Sequence, residues 1–205
     1  MEWIYEFEEV LMEFLKGLGI WAPFLSCILI FLEGILAFLP LFVFVTVNVL
    51  SMSTLVGPVL GGILGIVLSW IFCVIGSFTM FIGTRRSFGR KFRKKMEDSP
   101  KANRFMNIID GLTYSQLVLI TSIPFSPSFF INLGAGLSKL NEKKYFCALL
   151  IGKFAEMLFL GYVGVSLIEC LTQPLALIKV GIIVVLGYLF SVGINKKFNM
   201  DKRFE

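Results

Sequence analysis

Long uncharged stretches dominate the chain, and short charged segments separate them. Residues 34–84 contain no Asp, Glu, Lys or Arg over 51 positions, and residues 111–138 form a second uncharged stretch. A third apolar region, residues 145–195, contains only four charged side chains. Because a membrane-spanning helix needs about 20 consecutive apolar residues, this pattern predicts an all-α integral membrane protein with several membrane segments.

About four of these segments have the length and continuity of transmembrane helices. They comprise residues 18–38, 59–84, 145–170 and 174–195. Before them, residues 2–16 place apolar side chains and glutamates on opposite faces at helical spacing, which predicts an amphipathic helix on the membrane surface or docked on the protein itself. The chain is thus expected to divide into an N-terminal helix (1–17), a single membrane domain (18–196) and a C-terminal tail (197–205).

Two other apolar segments are interrupted and do not fit a full crossing. Residues 41–55 are short and contain Asn48 together with several hydroxyl side chains. Residues 112–138 contain Pro124 and Pro127, and each proline removes a backbone donor and clashes with the preceding helical turn. Because irregular backbone at membrane depth must be buried in protein or line a polar cavity, we expect two re-entrant helical hairpins.

The basic residues predict the orientation of these segments. Residues 85–104 contain nine Lys or Arg against two acidic residues, and such an excess beside a membrane helix marks the cytoplasmic side. Further lysines follow the second interrupted segment and the last span, so both termini are predicted to be cytoplasmic and the hairpins to enter from opposite faces. Paired broken segments of this kind are typical of an inverted repeat. The basic loop is expected to contact anionic lipid head groups and not nucleic acid.

Small side chains recur at every fourth position along the predicted helix 59–84 and just before it. Such a stripe lets another helix approach closely, so we interpret it as packing and assign it no chemistry. The positions are Gly57, Gly61, Gly65, Ser69, Cys73 and Ser77.

Few side chains are candidates for chemistry. The sequence has no histidine, and its four cysteines are single and far apart, so no metal site, cofactor or catalytic centre is predicted. Three ionisable side chains lie within predicted spans, where a charge costs roughly 2.5–3.5 kcal/mol. Lys153 and Glu156 are spaced i, i+3 and can neutralise each other. Glu33 has no local partner, and it is either protonated and silent, extended to the membrane surface, or a binder of substrate or protons.

Four short motifs follow one another along the chain. They are Glu33 seven residues before Pro40, then Arg86-Ser87-Phe88-Gly89, then Pro124-Phe125-Ser126-Pro127 followed by Asn132 and Gly136, and finally Ile151-Gly152. In this order they resemble the DedA superfamily, also called the SNARE-associated or VTT-domain membrane proteins, over about residues 32–168. The resemblance implies movement of lipids across a membrane, with polyprenyl phosphate or phospholipid as the transported lipid.

The chain departs from the family in three ways. Its first hairpin has one proline where many members have two. The family usually carries an arginine where this chain has Thr121, and its first hairpin usually includes an aspartate, for which Asn48 is the nearest polar candidate. In the family these groups are associated with coupling of lipid transport to protons or other ions, so the departures argue against the same coupling here.

Physical reasoning from the residues leads to a similar function. Helices that end inside the membrane leave backbone amides unpaired and carry a partial positive charge at their N-termini, so two opposed hairpins would form a site for a lipid phosphate. The main alternative is a substrate-binding membrane subunit of a multi-component uptake transporter. An enzyme is not expected, because no nucleophile is paired with a base, and self-association is left open. The candidate transport residues are Glu33, Pro40, Asn48, Arg86, Pro124, Ser126, Pro127, Asn132, Lys153 and Glu156.

Overall fold

A computed structural model describes residues 17–36, 40–88, 100–124 and 128–172, together with Ile182 and Val185. All regular structure in these ranges is helical, which confirms the predicted all-α class. The predicted N-terminal amphipathic helix, the tail, and the last predicted span apart from Ile182 and Val185 lie outside the described residues. The α-helices in the described ranges are α1 (Trp21–Leu36), α2 (Leu41–Val56), α3 (Pro58–Gly83), α4 (Pro100–Asp110), α5 (Tyr114–Ser122), α6 (Ser128–Leu137) and α7 (Glu142–Thr172).

Within the described ranges, two segments are long and apolar enough to cross a membrane. One is α3 with the first residues of the π-helical turn that follows it, Pro58–Arg86, and the other is most of α7, Glu142–Ser166. Their bounds agree with the spans predicted at 59–84 and 145–170. α1, α2 and α6 are shorter apolar helices of 10 to 16 residues.

The helices α3 and α7 lie antiparallel against each other. Near the end of α3, the Phe78 ring packs on the Phe146 ring at the start of α7, with centroids 4.9 Å apart. Farther back along α3, Trp70 Nε1 donates a 2.8 Å hydrogen bond to the carbonyl oxygen of Leu150. These contacts place the end of α3 at the same level of the helix bundle as the start of α7.

The helices α1 and α2 pack against α3 along the small-residue stripe. A Cβ atom placed on Gly65 would lie 2.6 Å from Cα of Val49 in α2, and one placed on Gly34 would lie 2.8 Å from the backbone nitrogen of Ser77 in α3. Real Cβ atoms do not approach backbone so closely, so glycine is what allows these helices to touch. The interpretation of the stripe as a packing feature is confirmed.

The helix α2 runs without interruption from Leu41 to Val56, so residues 41–55 alone do not form the hairpin that we expected there. Its hydroxyl side chains donate to carbonyls of the preceding turn, as Ser51 Oγ does to Val47 O at 2.6 Å. Hydroxyls bonded in this way are compatible with a continuous helix. The chain reverses after α2 at Gly57, whose φ of 94° favours glycine.

The proline-containing segment forms two short helices, as predicted. α5 ends at Ser122 and α6 begins at Ser128, so the break covers both prolines. At its start, α5 is stabilised by a capping box between Thr113 and Gln116. α5 packs against α7, whereas α6 packs against α3. At this break the chain therefore passes from the surface of α7 to the surface of α3.

Candidate functional site

A buried ion pair lies in the middle of α7. Lys153 Nζ is 2.6 Å from Glu156 Oε2, and both side chains are 2% exposed. Lys153 Nζ also donates a 2.8 Å hydrogen bond to Ser128 Oγ, the first residue of α6. The predicted mutual neutralisation of Lys153 and Glu156 thus has the required geometry, and the ammonium group has a further neutral partner.

The start of α6 reaches Lys153 because the chain is broken just before it. Ser128 is buried at the N-terminus of α6, and a helix N-terminus carries a partial positive charge on its free amides. The ammonium group of Lys153 and the partial positive charge at the start of α6 therefore lie together. The carboxylate of Glu156 supplies the compensating negative charge.

A third ionisable group belongs to the same region. Glu33 on α1 is 8% exposed, and its carboxylate has no hydrogen bond or ion pair with any residue in the described ranges. The helix α6 hydrogen-bonds both to the carbonyl oxygen of the adjacent Gly34 and to Lys153, so Glu33 lies in the same buried region as the ion pair of α7. We call Glu33, Lys153 and Glu156 the buried charge cluster. With all three groups ionised, it carries one negative charge in excess.

Neutral polar groups connect the elements around this cluster. Asn132 on α6 donates through Nδ2 to the carbonyl oxygen of Gly34 at 3.4 Å, and its Oδ1 accepts a 2.6 Å hydrogen bond from the Tyr145 hydroxyl of α7. On α3, Ser77 Oγ is buried and has no partner among the described residues except the weak thiol of Cys73, one turn earlier. Four helices thus contribute polar groups to one buried region.

Asn48 belongs to a second polar site at the contact of α1, α2 and α3. Its Nδ2 donates to Ser69 Oγ at 2.9 Å and to the Gly65 carbonyl oxygen at 3.2 Å, and it approaches Cys27 Sγ at 3.6 Å. Its Oδ1 is buried without a partner in the described ranges. Within those ranges no hydrogen bond links Asn48 to the buried charge cluster.

The other predicted site residues are more scattered. Pro40 is exposed directly before α2, and Pro124 is half-buried just after α5. Ser126 and Pro127 lie outside the described residues. Arg86 is exposed at the membrane-proximal end of the basic loop. The structure therefore brings together Glu33, Asn132, Lys153 and Glu156 from the predicted set, and leaves the roles of the others as predictions.

Sequence reasoning overlooked Arg85, the neighbour of Arg86. The Arg85 guanidinium donates to the carbonyl oxygens of Ala135, Gly136 and Ser138 at 3.0 to 3.4 Å, where α6 ends. It also lies 3.6 Å from a Glu142 carboxylate oxygen and 4.5 Å from the centroid of the Phe81 ring. The spacing of Phe81 and Arg85, one helical turn apart, was the available sequence signal.

The geometry defines an all-helical membrane protein with a buried polar centre. The chain matches the VTT domain over residues 47–166, which is more than half of its length, and it belongs to this VTT-domain (DedA) family. The resemblance found in the sequence motifs is confirmed.

Two bacterial relatives extend over most of the chain. An uncharacterized membrane protein of Bacillus subtilis strain 168, YhjE, is 29% identical over 186 residues, which cover 90% of this chain and 86% of the relative. An uncharacterized protein of the same strain, YqeD, is 25% identical over 159 residues, covering 78% of this chain and 73% of the relative. No solved structure matches the chain. The comparisons support a membrane location and membership of the family.

Proposed function

We propose that this protein translocates phosphorylated lipids across the membrane, with the head group passing through the buried charge cluster. The observation that carries the proposal is the meeting of a buried ammonium group, a helix N-terminus and an unpartnered carboxylate at one membrane depth. The proposal involves no covalent chemistry, so the protein acts as a transporter and not as an enzyme.

The first re-entrant hairpin consists, in this proposal, of α1 and α2 together. Each has 16 residues and is about 24 Å long, which is shorter than the roughly 30 Å hydrocarbon core of a bilayer. Asn48 of α2 lies beside Ser69 of α3, and Gly34 of α1 lies beside Ser77. The reversal between α1 and α2 is therefore assigned to the interior of the membrane, level with the last part of α3.

The second hairpin consists of α5 and α6, which have 9 and 10 residues. Near its open end, Lys144 Nζ donates to the carbonyl oxygen of Leu112 at 2.8 Å. At its tip, Ser128 accepts from Lys153, deep along α7. The second hairpin thus opens at the end of the bundle near the basic loop, and the first opens at the opposite end. This opposition supports the inverted repeat.

The cluster offers a lipid phosphate a defined set of partners. The phosphate would displace Glu156 from Lys153 and accept hydrogen bonds at the start of α6, where anions are favoured. Because the cluster has one negative charge in excess when Glu33 is ionised, an incoming anion then needs a proton or a cation to accompany it. Glu33 is the group that we assign to this compensation, since its carboxylate has no partner among the described residues.

The basic loop at residues 85–104 orients the molecule in this proposal. Its nine Lys or Arg place the end of α3 on the cytoplasmic side, where they contact anionic lipid head groups. Gly17, just before α1, then lies on the opposite side of the membrane. We propose this orientation for the start of α1 in place of the cytoplasmic one expected from the sequence.

Reconstitution in liposomes tests the proposed function. Vesicles that contain the full-length protein are expected to move labelled polyprenyl phosphate or labelled phospholipid between leaflets faster than empty vesicles. The variant Glu33→Gln keeps the shape of the side chain and breaks no described hydrogen bond, and it should slow transport about tenfold, equivalent to roughly 1.4 kcal/mol of barrier. The matched control Glu142→Gln changes a half-exposed carboxylate outside the cluster and keeps an amide oxygen that can still accept from Arg85. Equal rates for protein-containing and empty vesicles would contradict the proposal.

A further inference from the structure

A groove lies between α2, α3 and α7 on the side of the bundle away from the basic loop. Its volume is about 730 Å³, and its lining is mostly aliphatic, with Gly62 of α3 and Gly161 of α7 in its wall. This size and an apolar lining with few polar groups are typical of binding sites for small ligands. Because α3 and α7 are the two candidate spans of the described residues, the groove between them is expected to lie at membrane depth.

The polarity of the groove changes along its length. Ile66 and Leu158 line its inner end, toward the middle of the membrane spans. Ser53, Pro58 and Ser166 line its outer end, close to the reversal between α2 and α3. Hydroxyl groups near the membrane surface and hydrocarbon side chains farther in match the polarity of a lipid whose tail points to the bilayer centre.

The shape of the groove suits a flexible occupant. It follows α3 from Pro58 to Ile66, eight residues or about 12 Å. It is open on one side, so a hydrocarbon tail can enter it sideways from the surrounding leaflet.

We infer that this groove binds the hydrocarbon tail of a lipid from the leaflet that surrounds its outer end. A Cβ atom on Gly161 would lie 3.1 Å from Ile66 Cγ1, which places Gly161 at the inner end. Glu156 precedes Gly161 by five residues, or about 8 Å along α7. Because five residues also turn a helix by about 140°, the tail site lies close to the depth of the buried charge cluster but on another face of α7. A role for the tail site in supplying lipid to the cluster rests on the proposed lipid translocation.

Gly62 offers a direct way to fill the groove. A Cβ atom on Gly62 would meet nothing within 4 Å, so Gly62→Leu extends into the groove without a clash. Gly83→Leu is the matched control, because Gly83 lies in the same helix, also has nothing within 4 Å, and does not line the groove.

Photolabelling in vesicles tests the tail site. The full-length protein is reconstituted in phosphatidylcholine and phosphatidylglycerol with a trace of phospholipid that carries a diazirine in its acyl chain, and labelled peptides are mapped by mass spectrometry. We expect the peptide containing Leu158 and Tyr162 to be labelled more strongly than the peptide containing Trp21 and Phe24, whose side chains are at least as exposed. Gly62→Leu should reduce that labelling about tenfold, and Gly83→Leu should leave it unchanged.

Other outcomes overturn the inference in distinguishable ways. Labelling that merely follows exposure, or that Gly62→Leu does not change, excludes a tail site. Crosslinks from the groove to a second copy or to residues 174–195 assign it a protein occupant instead. Transport is measured in the same vesicles. If the groove is labelled but no transport is measured, the tail site stands and the proposed function fails. If transport is measured without selective labelling of the groove, the proposed function stands and the tail site fails.

Discussion

The Lys153–Glu156 pair shows how a buried charge depends on its partner. Both side chains are almost completely buried, and removal of one member of such a pair typically costs about 3–5 kcal/mol because the other stays buried and unpaired. Replacement of both members by apolar residues of similar size is often neutral. The pair therefore need not be kept for stability, which is consistent with a role in transport.

This contrast gives a first prediction. Lys153→Met should lower the free energy of unfolding by about 3–5 kcal/mol, measured by titration with a denaturing detergent in mixed micelles. The double variant Lys153→Met, Glu156→Leu should recover most of that loss. If the double variant is as unstable as the single one, Lys153 stabilises the fold through groups other than Glu156.

A second prediction concerns the Tyr145 hydroxyl. Tyr145 is fully buried and donates to Asn132 Oδ1 at 2.6 Å. Tyr145→Phe leaves the Asn132 oxygen without that donor and should cost about 1–3 kcal/mol of unfolding free energy. Tyr162→Phe, at a half-exposed tyrosine of the same helix, is the control and should change stability little. Equal effects of the two substitutions would show that the buried hydrogen bond is not responsible.

Between elements, the close approach of α2 and α3 depends on glycine. Gly65→Ala places a Cβ atom 2.6 Å from Cα of Val49, and such overpacking typically costs about 1–3 kcal/mol. Gly83→Ala, in the same helix with open space around it, should be neutral or stabilise by up to about 1 kcal/mol. Unfolding titrations of both variants check this prediction, and a loss of stability in Gly83→Ala as large as in Gly65→Ala would contradict it.

The helix α6, an arm of the proposed second hairpin, is held at its C-terminal end by Arg85. Its guanidinium binds three carbonyl oxygens where α6 ends, and such oxygens lack partners within the helix. Arg85→Met should loosen α6 from α3 and increase hydrogen exchange in Ser128–Leu137, whereas exposed Arg86→Met should not. Transport should fall with the same variant, because α6 also brings Ser128 to Lys153. Unchanged exchange in Arg85→Met would exclude this holding role.

Elements whose limits are set by local chemistry were predictable from sequence. Proline fixes the break between α5 and α6, and the small-residue stripe fixes the packed face of α3. The continuity of α2 was not predictable in the same way, because serine and threonine either interrupt a helix or bond to its own carbonyls, and the sequence does not distinguish the two. Arg85 was overlooked for a related reason. Which of two adjacent arginines turns inward depends on the position of α6, a partner about 50 residues away along the chain.

In the whole molecule, the candidate site arises from elements that are distant in sequence. Glu33 and Lys153 are separated by most of the matched domain, yet α6 hydrogen-bonds both to Lys153 and to Gly34, the neighbour of Glu33. The i, i+3 spacing of Lys153 and Glu156 could be recognised in the sequence. The proximity of Glu33 to this pair could be recognised only in the tertiary structure. In the proposed arrangement, the opposed hairpins would account for this proximity, because each would bring a polar helix segment to the same depth from a different side.

The orientation of α1 provides the most direct test of this arrangement. Cys27 of α1 and Ser69 of α3 both lie within reach of Asn48, and Gly34 lies beside Ser77, so α1 and α3 run in the same direction. Trp21 must then lie at the end of the bundle opposite the basic loop. If α1 started on the cytoplasmic side, as the sequence suggested, it would run antiparallel to α3.

Single cysteines introduced into a variant without the four native ones distinguish these arrangements. Gly17→Cys and Lys139→Cys replace exposed residues. In intact cells, a membrane-impermeant maleimide is expected to label the cysteine at position 17 and not the one at position 139. Permeabilisation should make Lys139→Cys reactive, which serves as the control for its accessibility. Labelling of neither position before permeabilisation and of both afterwards would place Gly17 in the cytoplasm. In that case α1 could not be an arm of a hairpin that opens on the far side, and the inverted repeat proposed for the buried charge cluster would lose its first half.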